Sequence, residues 1–402
     1  MIFNEPVYFA FLVLAAVAFR FLPVKIRPWW IFVTGLLFYA YYSSIFLVAL
    51  VAEMIAVYWL GKRSRESTWH FAVGLALTIG VLAVFKYLGM LGATARGLAA
   101  ALGSGRLPTF PQLFLPLAIS FFTFEFVHYL VDARNGRLPE HTFAEFLAFA
   151  MFFPTMVAGP IKRFQGFLPQ LREAKVNADD VSVGLTRIVV GLFKKVVIAD
   201  TAGLWTTPLY ANASVRSAST TELVVALLAY SVKIYFDFSG YSDIAIGSAH
   251  LFGISVPENF SWPYLRTSIA SFWRHWHMSL TWWLTDYVYV PLGGSRRGLP
   301  VAIGATLVTF LVSGIWHGAA WHFVVWGLYM GVLVAGYRVW RVAVKEPLMR
   351  RVPALSAGVS GRALRVGGGV LGGVVTFALV TLGWGLFVMP IDRFVLMMGR
   401  LL

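Results

Sequence analysis

The sequence predicts an all-α, polytopic integral membrane protein. Apolar runs recur along the whole chain, charge is scarce, and the basic residues gather in short clusters between those runs. Of 402 residues, 59% are hydrophobic and 13% charged, whereas a soluble protein of this size carries roughly a quarter charged residues. The bilayer thus takes the place of much of the usual core. Fifteen Trp and 34 Phe are enough for interfacial belts and for internal cavity walls. The net charge of +15 would raise nucleic acid as a partner in a soluble chain. Here the bases lie between spans, which is how positive-inside orientation reads, so membrane lipid is the expected partner and nucleic acid is not. Cysteine is absent, which removes acyl-cysteine chemistry, disulfides, thiolate metal sites and palmitoylation.

The elements follow in order. Residues 7–22, 29–42 and 44–60 read as the first helices. The run after Met1 lacks a basic flank and flows into further spans, so no cleavable signal is expected. Arg20, Lys25 and Arg27, then Lys62, Arg63 and Arg65, are assigned to the cytoplasm, which puts the N-terminus outside. Residues 69–88 form the next span, followed by a Gly/Ala-rich outer connection ending near Pro108-Thr-Phe-Pro111. Residues 113–131 are a span held inside by Arg134 and Arg137. The run 143–157 is too short to cross at 1.5 Å per residue and ends in Phe152-Phe-Pro-Thr-Met-Val-Ala-Gly-Pro-Ile161. Broken backbone at membrane depth survives only where protein or a water-filled cavity satisfies it, so a re-entrant or half-length element is expected there. Residues 165–180 are polar and interfacial, and 183–199 and 222–238 are helices. Residues 321–344 form a span, Arg350, Arg351, Arg362 and Arg365 a basic loop, and 366–388 the last span. The total is about ten or eleven membrane elements by span length, in one membrane-embedded domain over residues 1–402.

Chemistry concentrates in residues 233–331. An ionisable group at bilayer depth is costly and marks a substrate path or a reaction centre. His277, in Ser271-Phe-Trp-Arg-His-Trp-His277-Met-Ser-Leu280, and His317, in Val312-Ser-Gly-Ile-Trp-His317-Gly-Ala-Ala-Trp321, are expected to converge on one passage. Two positions apart on a helix, His275 and His277 would point roughly 200° apart, so only one of them can face that passage. Gly314 and Gly318 form a small-xxx-small pair that lets helices approach closely around His317. A desolvated imidazole stays neutral and can accept a proton. Asp237-Phe-Ser-Gly-Tyr-Ser-Asp243 reads either as a helix break whose polar groups satisfy one another or as the wall of a polar pocket; both can hold. His70, His128, His141, His250 and His322 read as structural. The chain has no Gly-x-Ser-x-Gly elbow, phosphate loop, His-Glu-x-x-His or dinucleotide fingerprint. His275-x-His277 lacks further clustered ligands, so no metal site is assigned.

At these residues the chain resembles the bacterial branch of the membrane-bound O-acyltransferase family, which includes alginate O-acetylation and D-alanyl transfer proteins. The resemblance begins near Phe3 and covers most of the chain. It is carried by Phe236-Asp-Phe-Ser-Gly-Tyr-Ser-Asp243, Pro257-Glu-Asn-Phe260, Phe272-Trp-Arg-His-Trp-His-Met-Ser-Leu280, Asp286-Tyr-Val-Tyr-Val-Pro-Leu-Gly-Gly294 and Ser313-Gly-Ile-Trp-His-Gly318, with Phe153-Pro-Thr-Met-Val-Ala-Gly-Pro160 as a sixth motif. It implies a membrane fold with a central funnel or tunnel, His317 as the catalytic residue and His277 as the second functional position. One departure is that relatives often read Arg-Arg-Trp-His where this chain has Arg274-His275-Trp276-His277.

The function so implied is O-acylation: a short acyl group, acetyl first, passes from a cytoplasmic thioester toward an extracytoplasmic polysaccharide hydroxyl at a bacterial inner membrane. His317 would act as general base and His277 would orient or polarise the donor carbonyl. Asp237, Tyr241, Asp243, Arg274 and Trp316 would contribute to substrate binding. No bound cofactor is expected beyond a donor such as acetyl-CoA or an acyl-carrier thioester, and a periplasmic or extracellular partner would finish the transfer. D-alanyl transfer is the alternative within the class. Embedded polar residues and broken helices would equally suit a transporter of glycan or donor.

Overall fold

Apolar runs in lipid can satisfy their backbone only by closing each N–H on their own helix. In the computed structural model, which describes residues 5–103, 113–351 and 358–402, the chain is predominantly helical. Among the described residues, one isolated antiparallel bridge joins Phe260 and Trp276, and no strand forms. Among the described residues, six helical stretches are long and apolar enough to cross a membrane: Arg27–Ser64, Thr68–Ala101, Thr220–His250, Leu299–His317, Trp321–Leu348 and Val366–Val388. Pro6–Phe21 and Phe143–Thr155 are shorter apolar stretches. The protein is a multi-pass, all-helical membrane protein, as the sequence predicts.

The chain gathers into two compact units, Met1–Phe193 with Gly240–Pro257, and Lys194–Ser239 with Glu258–Leu402. The first holds α1 (Pro6–Phe21), α2 (Arg27–Ser43), α3 (Leu47–Ser64), α4 (Thr68–Leu82), α5 (Leu88–Ala101), α6 (Ile119–Arg134), α7 (Phe143–Ala150), α8 (Phe164–Glu173) and α9 (Ala178–Leu192). Prolines open α1 and α2 at their first turn, where no intrahelical N–H is lost. Capping boxes, Thr142 with Glu145 and Asn177 with Asp180, start α7 and α9. The Gly/Ala-rich stretch expected as a connection is helical as far as Ala101, because apolar sequence in lipid has no cheaper conformation despite its glycines. Pro108–Pro111 lies outside the described residues. The run expected from residue 113 becomes helical only at Ile119, after left-handed Ala118 (φ 57°).

The expected break after residue 150 is present. Beyond α7 the chain makes one tight turn, Phe153–Thr155, then runs irregularly to Arg163, almost wholly buried. Lys162 pairs with Glu125 of α6, both buried. One turn on, Gln165 bonds His128 Nε2 at 3.1 Å and donates to Asp132 Oδ2 at 2.6 Å. The segment is thus tied to α6 by side-chain bonds at Lys162 and Gln165.

The second unit holds α10 (Asp200–Leu204), α11 (Asn212–Ser217), α12 (Thr220–His250) up to Ser239, α13 (Ile269–His275), α14 (Met278–Leu284), α15 (Leu299–His317), α16 (Trp321–Trp340), α17 (Glu346–Arg351), α18 (Gly358–Val388) and α19 (Ile391–Leu401). The expected basic loop is helical on both sides, with Arg350 and Arg351 in α17 and Arg362 and Arg365 in α18, and its residues 352–357 lie outside the described residues. The core is aromatic: Trp273, Trp276, Trp326 and Trp384 pack with Phe272 and Met330. Helices α15 and α16 meet backbone to backbone, since a Cβ at Gly314 would lie 2.3 Å from the Phe323 carbonyl and one at Gly327 2.5 Å from that of Phe310.

Candidate active site

The site of interest lies within the second unit, where α13, α14 and α15 wall a cavity of about 180 Å³. His277 and His317 both line it, with Arg274, Thr281, Thr285, Tyr289, Thr306, Thr309 and Ser313. The predicted convergence of the two imidazoles is therefore present in the fold.

His317 is the last residue of α15, and the chain turns to extended backbone at Gly318. Its ring stands perpendicular to Trp326 at 5.0 Å and packs on Phe387 at 5.0 Å. The close helix approach expected at Gly314 and Gly318 is made by α16: Gly314 lies against Gly327, and Gly318 makes room for the Phe323 ring, 2.1 Å from where its Cβ would be.

His277 does not sit on one helix with His275. Helix α13 ends at His275, Trp276 is extended, and His277 is left-handed at φ 45°, ψ 55°. The cause is the Phe260–Trp276 bridge, which pulls this turn of chain out of helix. His275 Nδ1 donates to the Ser271 carbonyl at 2.7 Å and so faces its own helix. The left-handed conformation costs a non-glycine residue about 1–3 kcal/mol and persists only where neighbours over-determine it. The His277 ring is 3% exposed, and Phe238 meets it edge-on at 4.6 Å. Burial, and after it the neighbouring His317, hold its pKa well below the usual imidazole value, so the ring is neutral and keeps one N–H to donate. Trp316 lies 5.9 Å from the His277 ring and 4.8 Å from that of His317, next to both.

The cavity wall has a chemical sense. Thr281 donates its hydroxyl proton to the Trp273 carbonyl, Thr285 to Thr281, Thr306 to Ala302 and Thr309 to Ala305, at 2.6–3.1 Å. With those protons committed, the threonine oxygens offer the cavity lone pairs and accept hydrogen bonds from a guest, while Arg274 on the same wall donates. Thr285 and Tyr289 belong to a widened turn, Thr285–Tyr289, of the kind frequent at functional sites. Tyr289 accepts from Arg338 at 2.5 Å.

The other predicted residues are placed differently. Asp237 pairs with Lys195 at 3.0 Å, and Lys195 also pairs with Asp200. Tyr241 and Asp243 lie in the first unit, Tyr241 in its apolar core and Asp243 on Arg187 at 2.6 Å, and neither lines this cavity. No feature of the sequence marks Lys195, and the one signal for Asn259 is its place in the Pro257-Glu-Asn-Phe260 motif. No group of three metal-ligating side chains occurs among the described residues.

Comparison with known proteins gives consistent relatives. The model of the membrane-bound O-acyltransferase family matches residues 29–364. The chain is 32% identical over 387 residues to the probable alginate O-acetylase of Pseudomonas aeruginosa, covering 92% of this chain and 70% of that protein. It is 31% identical over 385 residues to the peptidoglycan O-acetyltransferase of Helicobacter pylori, covering 86% and 72%. With the teichoic acid D-alanyltransferase of Bacillus subtilis it shares 32% identity over 235 residues, covering 55% and 58%.

Proposed function

This chain belongs to the membrane-bound O-acyltransferase family, and we propose that it moves an acetyl group from a cytoplasmic thioester toward a hydroxyl of an extracytoplasmic envelope polysaccharide. It is an O-acyltransferase. The observation that carries the reading is the pair of imidazoles, His277 and His317, on one cavity whose threonine oxygens accept hydrogen bonds. A thioester on an amide-bearing arm, as in acetyl-CoA or an acyl-carrier protein, brings the N–H donors that such a wall takes up.

In this mechanism His317 removes the proton from the accepting hydroxyl as its oxygen attacks the thioester carbonyl carbon. Neutral His277 donates its ring N–H to the carbonyl oxygen, where negative charge develops. The C–S bond then breaks, the acyl group passes to oxygen as an ester, and the thiolate takes the proton back from His317. Arg274 lines the donor's place, and Trp316 packs beside both imidazoles. Asp237 acts through its pairing with Lys195, while Tyr241 and Asp243 shape the motif segment in the first unit. The setting is a bacterial inner membrane with the N-terminus outside, and an extracytoplasmic partner carries the group to the polymer. The D-alanyltransferase relative supports the same chemistry with D-alanine as cargo. The test is His317→Ala in cells lacking the native gene: base-labile acetate on the envelope polysaccharide should fall to the deletion level while the variant remains in the membrane. Undiminished acetate would remove His317 from the mechanism, and D-alanine lost in place of acetate would select the other cargo.

A further inference from the structure

We propose that Asn259 is a positioning residue for His277: it supplies from outside the helix cap that His277 occupies but does not make, leaving the imidazole free to face the cavity. The inference rests on the role of His277 given above.

His277 is the N-cap residue of α14, and its side chain makes no capping hydrogen bond. That position ordinarily carries Ser, Thr, Asp or Asn, whose oxygen takes one of the orphan N–H groups of the first turn. Here the oxygen comes from a residue 20 positions away, since Asn259 Oδ1 accepts from the Ser279 hydroxyl at 2.6 Å and lies 3.4 Å from the Ser279 N–H. The Asn259 carbonyl accepts the Met278 N–H at 2.9 Å, and Ser261 N–H donates to the His275 carbonyl at 3.1 Å. With the Phe260–Trp276 bridge between them, these bonds fix the backbone on both sides of His277. Asn259 is fully buried, so no water can replace its oxygen. A capping residue at position 277 would spend its side chain on the helix. The borrowed cap lets a histidine stand at a left-handed turn with its ring turned to the reaction.

The experiment returns the full chain to cells that lack the native gene but keep its partner proteins, and uses their inverted membrane vesicles with [14C]acetyl-CoA as donor and label on the envelope polysaccharide as readout, wild type setting the scale. Misplacing a reacting group by about 1 Å costs about 100-fold. Asn259→Ala should therefore lower kcat by about 10- to 100-fold with KM for acetyl-CoA changed less than about threefold. Asn259→Asp, which keeps the oxygen, should recover most of the rate. Should Asn259→Ala fail to fold, Ser279→Ala takes its place, since it removes the hydroxyl bond that holds Asn259 Oδ1 against the first turn of α14, with Ser279→Thr as its rescue. A kcat within twofold of wild type in the alanine variants, or a loss that the oxygen-retaining variants do not restore, overturns the proposal. His277→Ala is run alongside. If it is inactive while Asn259→Ala is normal, only this inference fails; if it is fully active, the role of His277 fails and this inference with it.

Discussion

The packing of α15 on α16 makes a quantitative prediction about His317. A Cβ at Gly314 would stand 2.3 Å from the Phe323 carbonyl oxygen and 3.0 Å from Gly327 Cα, where ordinary contact begins at 3.4 Å. Both neighbours are backbone, so no side chain can turn aside. Gly314→Ala must therefore part the helices by about 1 Å, and His317 rides on the last turn of the same helix. Overpacking of this kind costs about 1–3 kcal/mol, and a displacement of about 1 Å at a reacting group costs about 100-fold in rate. Gly304, on the same helix, is the control, because a Cβ there meets nothing within 4 Å. The assay is acetate on the envelope polysaccharide, with the melting temperature in detergent measured in parallel. Gly314→Ala should melt lower and lose nearly all transfer, whereas Gly304→Ala should match wild type in both. Wild-type transfer by Gly314→Ala would refute the claim that this contact sets the position of His317.

Three further outcomes follow from other parts of the molecule. Lys162→Met leaves the buried Glu125 carboxyl without its ammonium partner, which should destabilise the protein by about 3–5 kcal/mol, while Lys162→Met with Glu125→Gln regains most of that; equal thermal stability of the single and double variants would contradict it. Because burial keeps His277 neutral in the fold, the unfolded chain takes up a proton first on acidification. The associated stability is whole above the ordinary value of 6.5 and declines below it by at most about 1.4 kcal/mol per pH unit. His277→Asn should accordingly lose less melting temperature than wild type between about pH 7 and about pH 5; parallel curves would count against a neutral buried ring. Finally, the chain has no cysteine, so Ser313→Cys on the cavity wall gives a single thiol, whose reaction with a small methanethiosulfonate should slow when acetyl-CoA is present. An unchanged rate would place the donor elsewhere.

Membrane character was legible in the residues themselves, because transfer to lipid is settled by local composition: apolar runs, sparse charge and basic clusters name the class without any knowledge of contacts. The broken element after residue 150 was legible for the same reason, since two prolines and a glycine interrupt a helix wherever it lies. His277 and His317 were legible as ionisable groups inside apolar sequence and in their motif setting. What composition could not decide is which groups meet. Asp243 pairs with Arg187, 56 positions away, and Tyr8 donates to Ser248 across 240, and no periodicity encodes such distances. The tertiary fold alone decided that α13 breaks before His277, because the agent is Phe260 on another segment, and that the helix received by Gly314 and Gly318 is α16, through Gly327 and Phe323. Apolarity belongs to each residue and can be read along the chain, whereas a left-handed histidine, a borrowed cap and a helix crossing exist only once distant segments are packed against one another.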